Sequence, residues 1–338
     1  REANRYYGFT AKQTLDYTQK LYEAKLVTYP RTDSQYLTED MEDTANSIVL
    51  ALYEKLSFLD GVVSSFHAEQ MIDNTKVTDH HAIIPTKSSL TADISSLGKG
   101  EKAIYMLIAQ RMLCAASEPM EYLERTITAE CEDTEFSVKG KTIVERGWTA
   151  IEEAFTKTLS EKKKKKDEDD TDITQNVAAG MTMDAVNAYT SEHFTSPPKP
   201  YTEDSLLSAM ENAGKGEFEK ETEKKGLGTP ATRAGIIEKL VSGGYVERKG
   251  KQLSATEDAV KLISLLPDTV KSPTMTAEWE NKLLLMEHGE VSEDAFMEGI
   301  TDFVKQLITD YSVVKEQDKQ SFADKLREKA AVIGTCPR

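Results

Sequence analysis

Tyr29-Pro30-Arg31-Thr32-Asp33-Ser34 is the stretch on which the reading of this 338-residue chain turns. Pro30 stops any helix arriving from its N-terminal side, because it lacks an N–H and fixes its own φ. In an extended segment, residues two apart face the same side, so Tyr29 and Arg31 are expected to point together. A tyrosine is a weak nucleophile at neutral pH, with an ordinary pKa of about 10. A neighbouring guanidinium would favour the phenolate and grip a phosphate with two hydrogen bonds. That arrangement suits attack on a phosphodiester through a covalent phosphotyrosine. The same residues also read as a strand end with a packed tyrosine and a surface arginine.

Working outward, Thr10 is a good helix N-cap, and Gln13 completes a capping box three residues on. Leu15, Thr18, Leu21 and Tyr22 then fall on one face, and the pattern ends at Leu26-Val27-Thr28-Tyr29-Pro30. A second helix follows Thr38, with Ala45, Ile48, Val49, Leu52 and Leu56 at helical spacing. A third runs from about Glu101 to Ala116 and is apolar nearly all round, the mark of a buried helix.

From Tyr122 to Tyr189 the period changes. Thr126-Ile127-Thr128-Ala129, Phe136-Ser137-Val138 and Thr142-Ile143-Val144 are predicted as antiparallel strands, with Gly140 between two of the runs. The charge run from Lys162 to Asp170 reads as a solvated loop. Thr195-Ser196-Pro197-Pro198-Lys199-Pro200 reads as a stiff linker. Beyond it, Thr202 caps a helix through Met210. Pro230 opens another, with Ile236, Ile237, Leu240 and Val241 on its inner face. Tyr245 to Leu253 form a short hairpin with Lys249-Gly250-Lys251 at its tip, the order of a winged helix-turn-helix. The rest is helical, with Trp279, Phe296, Phe303 and Leu307 as expected core.

Two further motifs carry chemistry. In Asp79-His80-His81-Ala82-Ile83-Ile84-Pro85-Thr86 the adjacent imidazoles diverge, and no carboxylate or cysteine sits beside them at ligand spacing. A phosphate hydrogen bond or a proton shuttle is the better functional reading, against a plain capped loop. Gly226-Leu227-Gly228-Thr229-Pro230-Ala231-Thr232-Arg233 places two glycines before a helix start, where free N–H groups and the helix dipole attract phosphate. Thr229 and Thr232 add hydroxyls and Arg233 adds charge. No Gly-Lys-Ser/Thr ends the stretch, so a nucleotide-triphosphate loop is disfavoured, and an ordinary capped helix stays open.

Composition bounds the alternatives. The chain is 39% hydrophobic and 30% charged, and no apolar run approaches the length of a transmembrane helix. Three cysteines make no disulfide framework, which fits a reducing, cytoplasmic setting. The formal net charge of −16 argues against a nucleic-acid binder, but it is unevenly spread. Residues 1–38 balance at +2 and residues 199–253 at +1, whereas 39–198 carry −13 and 254–338 carry −6. The two nearly neutral segments hold the first and third motifs.

Tyr-Pro-Arg-Thr-Asp-Ser, His-His-Ala-Ile-Ile-Pro-Thr and Gly-Leu-Gly-Thr-x-Ala-Thr-Arg, in that order, resemble the type IA DNA topoisomerases, most closely the topoisomerase III branch. The flanks Arg1-Glu2-Ala3-Asn4-Arg5, Gly8-Phe9-Thr10-Ala11-Lys12, Thr195 to Pro198 and Ala277-Glu278-Trp279-Glu280 match too. The resemblance implies an isomerase that changes DNA topology without ATP. A tyrosine cuts one strand, holds the 5′ phosphate, and reseals the break after strand passage. It implies Tyr29 as nucleophile, Arg31 as its phosphate-binding and transition-state partner, and His80 near the scissile phosphate. Thr232 would contact the DNA backbone, with Thr229 and Arg233 as weaker carry-overs. Pro230 departs from the acidic residue frequent in topoisomerase III relatives.

The resemblance also implies a multidomain α+β, mainly helical fold taken from the family's ring. Residues 1–100 would be the helical domain bearing the nucleophile, 101–195 a β-rich arch segment, and 196–335 the helical DNA-binding domain with the winged-helix-like segment. Residues 336–338, with Cys336, would begin a truncated zinc ribbon. The family's Mg²⁺ is bound by an acidic Toprim domain. The only Asp-x-Asp patterns here, Asp167-Glu168-Asp169 and Asp170-Thr171-Asp172, lie in the charge run without the apolar strand such a site requires. The chain is therefore expected to lack that domain, to hold no metal site of its own, and to partner single-stranded DNA and the missing domain of the same polypeptide, with no membrane. A bacterial, nucleoid-associated location is expected. The alternative is a non-catalytic single-stranded-DNA-binding module.

Overall fold

The computed structural model describes residues 1–131, 133–159, 177–182, 190–213 and 226–312. The chain separates into two compact units, divided in sequence between Lys199 and Pro200. Both are helix-rich with small sheets, so the architecture is multidomain α+β and mainly helical.

In the first unit, α1 (Glu2–Tyr7) leads to α2 (Ala11–Glu23), which starts with the expected reciprocal cap. Thr10 Oγ1 accepts from the Gln13 N–H and Gln13 Oε1 accepts from the Thr10 N–H. α2 stops at Ala24 through a left-handed residue, Lys25, at φ +59°. Backbone bonds from Lys25 N–H to Tyr22 O and from Leu26 N–H to Leu21 O seal the stop and turn the chain back along its own helix. The second predicted helix begins as a 3₁₀ turn over Glu39–Met41 and continues as α3 (Glu42–Lys55).

The predicted buried helix is α4 (Lys99–Ala116). Its Ile104, Tyr105 and Leu107 join Ala3, Leu21, Leu26, Val27 and Phe155 in one cluster. Its Ala109, Met112, Leu113, Cys114 and Ala116 join Leu37, Ala45, Ile48, Val49 and Leu52 in another. Residues on both sides of position 100 thus share one core. Each fully buried aliphatic side chain here is worth about 1.5–3 kcal/mol against exposure. Gly100 is required by packing: a Cβ there would lie 2.3 Å from the Tyr17 ring. Burial pushes the Cys114 thiol up to about 12.

Three strand runs were expected after residue 122, and two strands form. β1 (Glu121–Cys131) and β2 (Thr134–Glu145) pair antiparallel as one ribbon. Gly140 does not break β2; it sits in register opposite Arg125. Directly opposed residues share a face, so Leu123, Ile127, Ala129, Phe136 and Val138 line one side, and the Glu124–Lys141 and Thr126–Lys139 pairs the other. The apolar side is open: Phe136 is 61% exposed and Leu123 58%. A helix absent from the sequence reading follows, α5 (Trp148–Leu159), whose Ile151 and Phe155 enter the two clusters. The segment 101–195 is therefore helical at both flanks of its ribbon. The run from Lys162 to Asp170, and with it both Asp-x-Asp patterns, lies outside the described residues, as does Cys336.

In the second unit, β3 (Tyr201–Thr202), α6 (Glu203–Asn212), α7 (Pro230–Ser242), β4 (Val246–Lys249) and β5 (Gln252–Ala255) follow in order. The predicted hairpin is β4–β5. β3 adds a third strand that the sequence reading missed, giving the order β3-β5-β4. Met210, Ile237 and Leu253 form the core, with Leu206, Leu207, Leu227 and Val246 against it. Of the expected inner face of α7, Ile237 is buried, while Ile236 and Leu240 are exposed and Ala234 takes their place inside. Beside this core, Arg248 ties two helices to the hairpin: its Nε donates to Glu203 at 2.8 Å and its guanidinium grips Glu238. Glu203 is 2% exposed, so removing Arg248 would take a charge partner from a buried carboxylate.

The remaining helices are α8 (Glu257–Leu265), α9 (Asp268–Lys271), α10 (Pro273–Glu287) and α11 (Glu293–Tyr311). The expected core residues Trp279, Phe296, Phe303 and Leu307 are half-buried only. The Trp279 and Phe303 rings meet edge to face at 5.6 Å, and none of these four helices has a fully buried side chain among the described residues.

Two predictions follow from this packing. Lys25→Gly relieves a left-handed L-residue and should stabilise the first unit by about 0.5 kcal/mol, the steric gain exceeding glycine's entropic cost, read as a raised denaturant midpoint. At the root of the ribbon, His67 Nδ1 and Nε2 lie 3.2 Å from Glu69 and 2.6 Å from Glu118, which hold the imidazole above its ordinary pKa. A raised folded pKa gives stabilisation that is present in acid and lost as pH rises through that value. Melting temperature should therefore fall more steeply from pH about 6 to about 8 in the parent chain than in His67→Ala.

Candidate active site and phosphate-binding helix

The segment after the α2 stop is held on both sides by loops. Thr28 N–H donates to Ile84 O at 3.0 Å, and Thr86 N–H to Leu26 O at 3.0 Å. The Thr28 hydroxyl accepts from Ile84 N–H at 2.9 Å and donates to Ala82 O at 3.2 Å. Farther on, Thr32 Oγ1 donates to His80 O at 2.7 Å, and Ala82 N–H to Tyr36 O at 2.8 Å. Ser34 Oγ donates to Lys76 O at 2.8 Å. The first motif and the histidine motif are therefore laced together by a ladder that neither segment makes alone.

This ladder sets the Tyr29 ring 4.5 Å from the His80 ring, tilted by 49°. Tyr29 is half-buried and Pro30 is buried, while Arg31 and His80 are exposed. The sequence reading had Tyr29 and Arg31 side by side on an extended strand. The chain bends at Pro30, and no cation–π contact joins the pair among the described residues. The Tyr29 hydroxyl, the Arg31 guanidinium and the His80 ring nitrogens have no hydrogen-bond or ion-pair partner among the described residues. His81 is occupied differently: its Nδ1–H donates to Ala82 O at 2.8 Å. Arg31 and His80 are thus exposed and unpartnered among the described residues, with His80 packed on the phenol ring, an arrangement open to a phosphate.

Sequence reasoning missed a second tyrosine at this site. Tyr22, read only as one of the residues sharing a face of α2, is 38% exposed, and its ring meets that of Tyr29 edge to face at 5.3 Å and 76°. The seven-residue separation gave no signal, because the chain reversal at Lys25 creates the contact.

The third motif lies in the other unit. Gly226 and Gly228 both take φ +66°. A Cβ at Gly226 would meet the Met210 and Glu211 carbonyls at 2.4 and 2.5 Å, and Leu227 N–H donates to Met210 O at 2.8 Å. The first glycine therefore serves the end of α6. Thr229 and Thr232 are exposed at the α7 N-terminus and bonded to each other: Thr229 N–H donates to Thr232 Oγ1 at 2.9 Å, with the two hydroxyls 3.2 Å apart. Arg233 departs from its expected place among them. It is buried, and its Nε donates to Leu227 O at 3.1 Å, bracing the loop from beneath. Among the described residues no three His, Cys, Asp or Glu side chains cluster as a metal site would require. Nothing described therefore fits a resident Mg²⁺.

Residues 1–298 match the family model described as DNA topoisomerase. The chain is 37% identical to the DNA topoisomerase 3 of Bacillus licheniformis over 329 residues, covering 91% of this chain and 43% of that protein. It is 35% identical to the DNA topoisomerase 3 of Bacillus subtilis, with the same coverages, and 32% identical to that of Bacillus cereus over 98% of this chain and 46% of the relative. The chain thus spans somewhat less than half the length of these relatives. Its fold is similar to that of full-length topoisomerase I from Thermotoga maritima, at a TM-score of 0.58 and 20% identity, over 90% of this chain and 47% of that one. With three motifs in family order and a family match across most of its length, this chain belongs to the type IA DNA topoisomerases, on the topoisomerase III side.

Proposed function

We propose that this chain is the nucleophile-bearing part of an enzyme that passes DNA strands through a transient single-strand break without ATP. The observation that carries the reading is the meeting of Tyr29 with His80, two motifs 51 residues apart in sequence, around polar groups left without protein partners. Tyr29 Oη attacks the scissile phosphorus and forms a P–O bond to the 5′ side. The bond to the 3′ oxygen breaks, and that oxygen leaves with a proton as a free hydroxyl. Attack by the same hydroxyl reverses the step and frees the phenol, so the bond energy is conserved. Arg31 places its charge on the non-bridging oxygens, where negative charge builds in the transition state. His80 donates a hydrogen bond to the phosphate from a ring already packed on the nucleophile.

On this reading Thr229, Thr232 and the α7 N-terminus hold a backbone phosphate of single-stranded DNA, and Arg233 fixes the loop that presents them. The β1–β2 ribbon is a piece of the arch and the α6–α7–β4–β5 segment a winged-helix-like DNA-binding domain of the family ring. The Mg²⁺ site belongs to a Toprim domain outside the described residues. When bound there, the ion would supply positive charge at the reacting phosphate. The enzyme would act on DNA in the bacterial cytoplasm.

The test is an SDS-trapped cleavage assay on end-labelled single-stranded DNA with Mg²⁺, run on this chain and on the full-length polypeptide that carries it. An adduct on Tyr29 is expected in the full-length protein, and little or none with this chain alone. Tyr29→Phe should reduce the adduct to background with single-strand binding nearly unchanged, and Arg31→Ala should slow cleavage by about 10²-fold. Tight single-strand binding with no adduct in either protein would favour a non-catalytic binding module instead.

A further inference from the structure

We propose that Tyr22 is a positioning residue for the nucleophile: its ring edge, packed on the Tyr29 ring, fixes the direction of the phenol. This rests on the reading of Tyr29 as nucleophile and adds to it a residue outside all three motifs.

The geometry carries the argument. Tyr29 contacts two rings, His80 at 4.5 Å and Tyr22 at 5.3 Å. Its hydroxyl makes no hydrogen bond among the described residues, so nothing at the tip of the side chain sets its orientation. The ring contacts alone must do so. Of the two neighbours, His80 stands on a loop, on an exposed residue without regular secondary structure. Tyr22 stands on the last turn of α2, whose Leu21 lies in the core at 1% exposure. The stop that ends α2 uses the Tyr22 carbonyl as acceptor for the Lys25 N–H, while the Ala24 N–H donates to Lys20 O, so the backbone carrying this ring is itself pinned. An edge-to-face aromatic pair has a preferred geometry and is worth about 0.5–1.5 kcal/mol beyond its buried area. That is enough to bias one rotamer of a half-buried tyrosine.

Stability does not account for the placement. Tyr22 is more than a third exposed, its hydroxyl makes no hydrogen bond among the described residues, and it belongs to neither core cluster of its unit. Misplacing a nucleophile by even 1 Å is costly, up to about 10²-fold in rate.

The test has two arms. In this chain, labelled with carbon-13 tyrosine, the Tyr29 ring signals are assigned by their loss in Tyr29→Phe. Ring currents from Tyr22 and His80 should displace these signals. Tyr22→Ala should return them toward the free-tyrosine position, and Tyr22→Phe should leave them in place. In the full-length polypeptide, single-turnover cleavage with Mg²⁺ should slow about tenfold in Tyr22→Ala, with single-strand affinity and melting temperature close to the parent's. Tyr22→Phe should restore the rate, and Tyr22→Leu, which keeps bulk without the ring, should not.

Equal rates in Tyr22→Leu and Tyr22→Phe would reduce the residue to packing and overturn the proposal. So would an unmoved Tyr29 signal in Tyr22→Ala. Persistence of the covalent adduct in Tyr29→Phe would instead overturn the assignment of the nucleophile. Loss of the adduct in Tyr29→Phe together with parent rates in Tyr22→Ala would refute the positioning role alone.

Discussion

The backbone ladder between residues 25–28 and 82–86 is the constraint on which the site depends. It forms because α2 ends in a left-handed residue and the chain doubles back, so that β-branched Val27 and Thr28 meet the segment around Ile84. The Thr28 side chain then does what a neighbouring strand would do, satisfying one N–H and one carbonyl on the opposite segment. An unpaired buried backbone group costs about 1–3 kcal/mol, so this register is strongly preferred over its neighbours. The position of Tyr29 beside His80 is a by-product of that accounting, set by hydrogen bonds that neither ring makes.

α4 supplies the rigid floor. Because one helix contributes its first half to one cluster and its second half to the other, the α2 end and the α3 side of the unit are fixed to the same rod. The tight contact of Gly100 with Tyr17 lets α2 approach that rod closely. The two laced loops thus belong to a unit whose helices bury their inner faces, while Arg31 and His80 face water.

Much of this was legible beforehand, for reasons that are local. The Thr10 cap, the all-round apolar pattern of α4 and the Thr202 and Pro230 helix starts each depend on residues within four positions, whereas α2 stops through the left-handed Lys25, ahead of the Pro30 that the sequence offered as its breaker. What escaped was either non-local or masked by a competing signal. α5 carries Trp148, Ile151, Phe155 and Leu159 at helical spacing, but its threonines and the preceding strand pattern concealed it. Gly140 reads as punctuation in sequence, yet a glycine in mid-strand is tolerated where the partner residue covers it. Tyr22 was read only by its helical spacing and Arg233 only by its motif, so neither the contact made by the chain reversal nor the bond to the Leu227 carbonyl was foreseen.

The site is half-assembled in a physically definite sense. The phenol has its orientation but no base: no carboxylate, amine or imidazole nitrogen lies within hydrogen-bond distance of its hydroxyl among the described residues. On the proposed reading, the acceptor for the phenol's proton and the charge that steadies the phosphate arrive with the substrate and with other groups. A nucleophile that is oriented but has no base of its own would then leave DNA intact until the parts close on it, as an enzyme that breaks a strand only to reseal it requires.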